Sequence, residues 1–163
     1  MAKNSTLRKA RVGDVPFMAD LINGYAAQGE MLPKSLNQIY QSLRDFVVVE
    51  EDGQIVGCGA LHIVWDDLAE IRSLAVVEER WGNGLGRQMV TCLLEEARRL
   101  GLPTVFALTY RQGFFKKLGF QVVDKDTLPR KVWVDCIDCL KFPHCDETAV
   151  VLHLNSNHLR SSG

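Results

Sequence analysis

The strongest constraint on the fold is an unbroken succession of a strand pattern, a glycine-rich turn and an amphipathic helix. Ala69–Val76 reads as a strand, and Glu79–Gly86 is a turn containing Gly82, Gly84 and Gly86. In Leu85–Leu100, the residues Leu85, Met89, Val90, Leu93, Leu94, Ala97 and Leu100 recur at three- and four-residue steps and make one apolar face. Gly101 stands where a helix stops, and Thr104–Thr109 follows as a buried strand. A helix returning between two strands commits the chain to a sheet with a helix packed on it.

Other elements flank this unit. Leu7–Ala10 is a short extended start. Asp14, with Pro16 just after it, is the expected N-cap of a helix running to about Tyr25, with Phe17, Leu21, Ile22 and Tyr25 as its apolar stripe. Gly29–Pro33 is a loop, and Ser35 caps a short helix carrying Leu36, Ile39, Tyr40 and Leu43. Asp45–Glu50 and Ile55–Val64 form a hairpin around Asp52-Gly53. Gly57 and Gly59 leave one face of its second arm with little bulk. Asp66-Asp67 turn the chain into the Ala69 strand. Gln112–Leu118 is a short helix ending at Gly119, followed by strands at Phe120–Val123 and Asp146–Leu154. The fold class is α/β or α+β, with hairpin and crossover connections in one sheet. At 163 residues, with no repeat or linker, a single domain over residues 1–155 and a frayed tail over 156–163 are expected.

Lys+Arg 19 against Asp+Glu 20 leaves a net charge of −1, so no broad basic field attracts nucleic acid or an anionic membrane. No apolar run reaches the roughly 18–20 residues of a membrane span, and the N-terminal stretch lacks the apolar core of a signal peptide. A cytoplasmic protein is the expectation. Of five cysteines, Cys58 and Cys92 are isolated, while Cys136, Cys139 and Cys145 crowd near the C-terminus. An odd count without a secretion signal argues against a disulfide framework.

The glycine turn has a chemistry of its own. Glycines let backbone approach a ligand closely, and the free N–H groups of a helix start suit a phosphate or pyrophosphate. Arg80 precedes the turn and Arg87 lies in the first helical turn, where a cation opposes the dipole unless an anion sits there. The alternative is a tight strand-to-helix connection and nothing more. The spacing is neither the dinucleotide fingerprint nor a P-loop, so the expected ligand is another phosphate-bearing molecule.

Ala69–Val76, Arg80–Arg87 and the helix together resemble the acetyl-CoA-binding core of the GNAT superfamily of N-acetyltransferases. Gln112–Phe120, a short helix ending in Leu-Gly-Phe, resembles the superfamily's next signature, and Leu7–Ala10 with Asp14 its opening strand and helix. The resemblance implies a mixed, mostly antiparallel sheet in which a parallel strand pair splays apart where Leu74–Val76 ends. It implies acetyl-CoA as cosubstrate, with Leu74, Ala75 and Val76 on the pantetheine arm. The stretch Trp81, Gly82, Asn83, Gly84, Leu85, Gly86 and Arg87 lies around the pyrophosphate. Trp81 stands where the superfamily usually has Gln or Arg. Homodimers are frequent in the superfamily, so a homodimer is an expectation by analogy.

Acetyl transfer to an amine needs a base, an oxyanion donor and an acid for the leaving thiolate. By resemblance Glu70 is the base and the Val76 amide the oxyanion donor. A carboxylate partly buried beside apolar strands has its pKa raised toward usefulness; an exposed edge-strand glutamate is the alternative. The superfamily's tyrosine position is Phe115 here, which leaves Tyr110, at the end of the Thr104–Thr109 strand, as the substitute acid or else a rim aromatic. Arg72 alternates with Glu70, so it either binds a substrate carboxylate or pairs with Glu70. Arg8 and Arg11 are weaker candidates.

Residues 128–147, with Ala107–Tyr110, resemble a bacterial subgroup of short, single-domain N-acetylglutamate synthase-like proteins. That resemblance implies transfer from acetyl-CoA to the α-amino group of L-glutamate, at the entry to arginine biosynthesis. Glutamine, another small amine, or a non-catalytic acetyl-CoA sensor are the alternatives. An acidic amino acid needs cations at its carboxylates, for which Arg72, Arg130 and Lys131 are the candidates. Cys136, Cys139 and Cys145 with His144 or His153 read as zinc ligands, as reactive thiols, or as local packing of a substrate-side loop. The packing reading is preferred and no metal is expected.

Overall fold

The computed structural model describes residues 5–129, 132 and 146–154. Seven strands form one sheet: β1 (Ser5–Lys9), β2 (Phe46–Glu51), β3 (Gln54–Trp65), β4 (Leu68–Val76), β5 (Thr104–Thr109), β6 (Gln121–Val123) and β7 (Thr148–His153). Their order is β1-β2-β3-β4-β5-β7-β6, mostly antiparallel, with β4 and β5 as the parallel pair. The helices are α1 (Val15–Ala27), α2 (Leu36–Gln41), α3 (Leu85–Arg99) and α4 (Gln112–Lys117). The described residues fall into two compact units, 5–62 with 71–95, and 63–70 with 96–154.

In the first unit, β2 and β3 close around Asp52 and Gly53, with φ of 52° and 80°, the left-handed pair that a two-residue hairpin turn requires. Ser35 caps α2 as its side chain accepts from the Gln38 amide. The core gathers Val15, Met18 and Ile22 of α1, Ile39 of α2, Phe46 and Val48 of β2, Cys58 and Ala60 of β3, and Ala75 of β4. The buried face of α1 is thus Val15, Met18, Ala19 and Ile22, and Phe17 is 60% exposed. This segment is apolar on both sides, so its periodicity admits two registers, and the core selects the one without Phe17. Asp14 stands at the N-cap position of α1, as expected, but its side chain does not cap the helix. Its carboxylate turns back to Arg8 and to the Arg11 amide, and no side-chain cap bond starts α1.

The expected face of α3 is buried from Leu85 to Ala97. Leu100, expected on that face, is 53% exposed, because the helix ends at Arg99 and the chain reverses at Gly101. Leu102 takes the buried place, its amide bonded to the Ala97 carbonyl at 2.9 Å.

In the second unit, β5 pairs antiparallel with β7 from Thr104↔His153 to Thr109↔Thr148, and β6 pairs with β7. Leu68, Phe106, Leu128, Val132, Ala149 and Val151 make its core. The parallel ladder of β4 and β5 covers only Leu68↔Thr104, Ala69↔Val105 and Glu70↔Phe106.

Candidate active site

The last residues of β4 are held in an unusual shape. Ser73 has φ of 55°, a left-handed conformation inside a strand that a non-glycine residue adopts only when its surroundings enforce it. One such constraint is Cys58, whose thiol donates to the Ser73 carbonyl at 3.6 Å. Complete burial pushes that thiol up to about 12, so it keeps the proton it donates. Gly57 and Gly59 admit close packing here. A Cβ on Gly59 would lie 2.8 Å from Leu74 Cδ1, and one on Gly57 3.0 Å from Met89 Cε and 3.4 Å from the Ala75 carbonyl oxygen. The low bulk expected from these glycines serves Leu74, Ala75 and α3.

At Val76 the strand becomes the glycine turn. The Val76 carbonyl accepts from Tyr25 Oη at 2.5 Å and from Trp81 Nε1 at 3.0 Å, and the two rings stack with centroids 6.2 Å apart. The next amide, Val77, donates to the Val56 carbonyl at 2.9 Å. Arg80 Nε donates to buried Glu51 at 2.6 Å. Beyond these anchors Gly82 and Gly84 have φ of 84° and 82°, and a Cβ on either would meet nothing within 4 Å. Glycine is needed there for conformation, and space lies open over the backbone.

The first helical bond of α3 runs from the Gln88 amide to the Gly84 carbonyl at 3.0 Å. The N–H groups of Leu85, Gly86 and Arg87 are those that a helix start leaves without intrahelical partners. The Trp81 amide is engaged by the Glu78 carbonyl at 3.1 Å and the Asn83 amide by the Arg80 carbonyl at 3.3 Å, so these two members of the expected stretch are spent inside the turn. No acidic residue lies in the first turn of α3, and Arg87 is exposed. The arrangement suits an anion.

Among candidates for proton transfer, Glu70 is 9% exposed, between buried Ala69 and Ile71 and paired with buried Phe106. The exposed-edge alternative for Glu70 is thereby removed. Tyr110, just past β5, donates its phenol to Asp146 Oδ1 at 2.5 Å. Phe115 is a buried core aromatic, edge-on to Phe120 at 5.1 Å, and supplies no acid. Arg72 is half-buried on β4. Arg8 is committed to Asp14 and Glu50 and holds the start of the chain to β2. Arg130, Lys131, Cys136, Cys139, His144 and Cys145 lie outside the described residues, as do residues 156–163. Among the described residues no group of three or more His, Cys, Asp or Glu is placed to hold a metal, and no helix is long and apolar enough to cross a membrane.

Sequence reasoning missed Tyr25, Asp146, Glu51 and Cys58. Tyr25 reads as one more apolar position of α1, and no local pattern announces that its hydroxyl reaches a carbonyl 51 residues away.

Comparison with known proteins gives the same picture. Residues 18–120 match the acetyltransferase (GNAT) family. The amino-acid acetyltransferase of Mycobacterium tuberculosis is 39% identical over 130 residues, 78% of this chain and 74% of that protein. The crystal structure of Rv2747 of Mycobacterium tuberculosis in complex with CoA and a second ligand superposes with a TM-score of 0.80 at 33% identity, over 91% of this chain and 99% of that one. N-acetylglutamate synthase of Neisseria gonorrhoeae, complexed with CoA and N-acetyl-glutamate, gives a TM-score of 0.82 at 28% identity, over 94% of this chain but only 36% of that longer one. The chain belongs to the acetyltransferase (GNAT) family and is by fold and family an acetyl-CoA-dependent N-acetyltransferase.

Proposed function

We propose that the chain, as one domain over residues 1–155, transfers the acetyl group of acetyl-CoA to the α-amino group of L-glutamate. The observation that carries the acetyl-CoA half is the anion-binding start of α3: orphan amides at Leu85–Arg87, open backbone at Gly82 and Gly84, and no competing carboxylate. The mycobacterial amino-acid acetyltransferase supports an amino acid as acceptor, and the complex of the gonococcal synthase with N-acetyl-glutamate supports an acidic one.

In this reading the pyrophosphate lies on the turn and α3, and the pantetheine arm runs along Leu74–Val76. Glu70 takes a proton from the substrate ammonium, and the neutral amine attacks the thioester carbonyl carbon. The carbonyl oxygen gathers negative charge that the Val76 N–H accommodates. When the intermediate collapses, the carbon–sulfur bond breaks, Tyr110 supplies the proton that leaves with CoA, and the second proton lost by the attacking nitrogen restores the phenol. Arg72, with Arg130 and Lys131, receives the substrate carboxylates.

The test is a CoA-release assay across the twenty amino acids. Turnover highest with glutamate is expected. Turnover on glutamine alone moves the acceptor by one functional group, whereas turnover on none makes the chain a sensor of acetyl-CoA. Activity only on an aminoglycoside or a peptide removes the amino-acid reading.

A further inference from the structure

We propose that Tyr25 and Trp81 are positioning residues that staple the glycine turn into its ligand-ready shape, and that Trp81 acts on the chain's own backbone where a polar side chain at that place would reach for the ligand. The proposal rests on the acetyl-CoA reading above. Both donors converge on one acceptor, the Val76 carbonyl, at 2.5 Å and 3.0 Å. Because Trp81 follows Val76 by five residues, its bond closes the intervening loop. The loop's own backbone bonds, Arg80 to Val77 and Trp81 to Glu78, complete the closure. Stacking of the Tyr25 and Trp81 rings, 16° from parallel, fixes the indole's orientation, and Tyr25 ties the assembly to α1. Arg80 on Glu51 is a second anchor one residue earlier.

The need for such a staple follows from what lies immediately downstream. Gly82 and Gly84 are the residues with the most backbone freedom to lose, and the amides proposed to hold the pyrophosphate come directly after them. Freedom removed in the unliganded protein need not be removed on binding, so anchoring Trp81 raises affinity without adding a ligand contact. Trp81 is 48% exposed, so it is not held in place merely by burial in the core.

The measurement is calorimetric binding of CoA to the full chain and to Trp81→Phe, Tyr25→Phe and the double variant, with Tm and steady-state constants for each. Tyr25→Phe removes only the donor hydroxyl, whereas Trp81→Phe keeps one aromatic ring to stack and removes the donor N–H with the indole's second ring. Each single variant should bind CoA about five-fold more weakly, the loss of one net hydrogen bond. The double variant should lose more than the product of the two, since only it leaves the carbonyl without either donor. KM for acetyl-CoA should rise with Kd while KM for the acceptor holds, and Tm should fall by no more than the few degrees that a lost hydrogen bond accounts for. Single and double variants that bind CoA as the unaltered chain does overturn the staple and leave the acetyl-CoA reading intact. A larger fall in Tm with both KM values shifted alike overturns it in favour of general structural support. Failure of the unaltered chain to bind CoA overturns the acetyl-CoA reading itself.

Discussion

Tyr110 and Asp146 join the ends of two neighbouring strands through a phenol-to-carboxylate hydrogen bond of 2.5 Å, just beyond the last β5–β7 rung, Thr109↔Thr148. The bond aims the phenol and gives it a fixed partner, so the two residues act as a pair. If Tyr110 supplies the proton to the leaving thiolate, Tyr110→Phe should lower kcat by about 10²-fold or more. Asp146→Asn keeps an acceptor oxygen and should cost less, and neither should alter CoA affinity. Calorimetry with CoA alongside kcat checks both parts, and a Tyr110→Phe enzyme with unchanged kcat removes Tyr110 from the chemistry.

Glu70 is buried on β4, paired with Phe106 of β5. Glu70→Gln preserves the shape and removes the base. At neutral pH the activity should fall about 10²–10⁴-fold. The deficit should shrink as pH rises, because an amine that loses its proton to solvent no longer needs the carboxylate. The pH profile of kcat/KM for the variant against the unaltered enzyme is the measurement, and a constant ratio across pH contradicts the base role.

Local chemistry was legible in the sequence, and long-range chemistry was not. Ser35 as a cap, Asp52-Gly53 as a hairpin turn and the Thr104–Thr109 strand were all readable because neighbours a few residues away decide them. Asp14 has the composition and position of a cap, yet Arg8 across the chain start competes for its carboxylate and wins with two charge-assisted bonds. Ser73 gives no sign of a left-handed φ, since packing enforces it through Cys58 and the β3 glycines. The site divides the same way. Its glycine turn and helix start are local and readable, whereas the Tyr25, Glu51 and Asp146 contacts join residues at least 29 positions apart.

Gly59 tests the packing behind the cofactor strand. A methyl group there meets Leu74 Cδ1 at 2.8 Å, the end of a flexible side chain, with the Leu74 Cα at 3.8 Å behind it. Gly59→Ala therefore displaces Leu74 without driving apart two backbones, at a cost of about 1 kcal/mol. Tm should fall by about 2–4 °C and CoA should bind more weakly because Leu74 has moved. Gly57→Ala presses on the tip of Met89 and on the Ala75 carbonyl instead of on Leu74, and is the comparison that separates the two contacts. Equal CoA affinity for Gly59→Ala and the unaltered chain would separate Leu74 from the pantetheine arm.

The Arg8–Asp14 pair makes a prediction about acid stability. Arg8 donates to both Asp14 oxygens at 2.8 and 3.0 Å, and also to Glu50 at 2.8 Å, with the Arg8 and Asp14 side chains only 14% and 11% exposed. The Arg8 hydrogen bonds, with the Arg11 amide, hold Asp14 below its ordinary 3.8, against the opposing effect of burial. A folded pKa below the unfolded one means that the unfolded chain binds the proton more tightly. The stabilisation is thus complete above the ordinary carboxylate range and is lost as pH falls through it toward the folded value. Arg8 itself is raised and stays charged throughout. Asp14→Asn should cost about 2–3 kcal/mol at pH 7, somewhat under the cost of breaking a fully buried pair. The gap between the variant and the unaltered chain should begin to narrow below about pH 4 and go on narrowing as the pH falls. Urea unfolding at pH 7, 5 and 3 reads both, and parallel pH dependences for the two proteins would show that this pair carries none of the acid sensitivity.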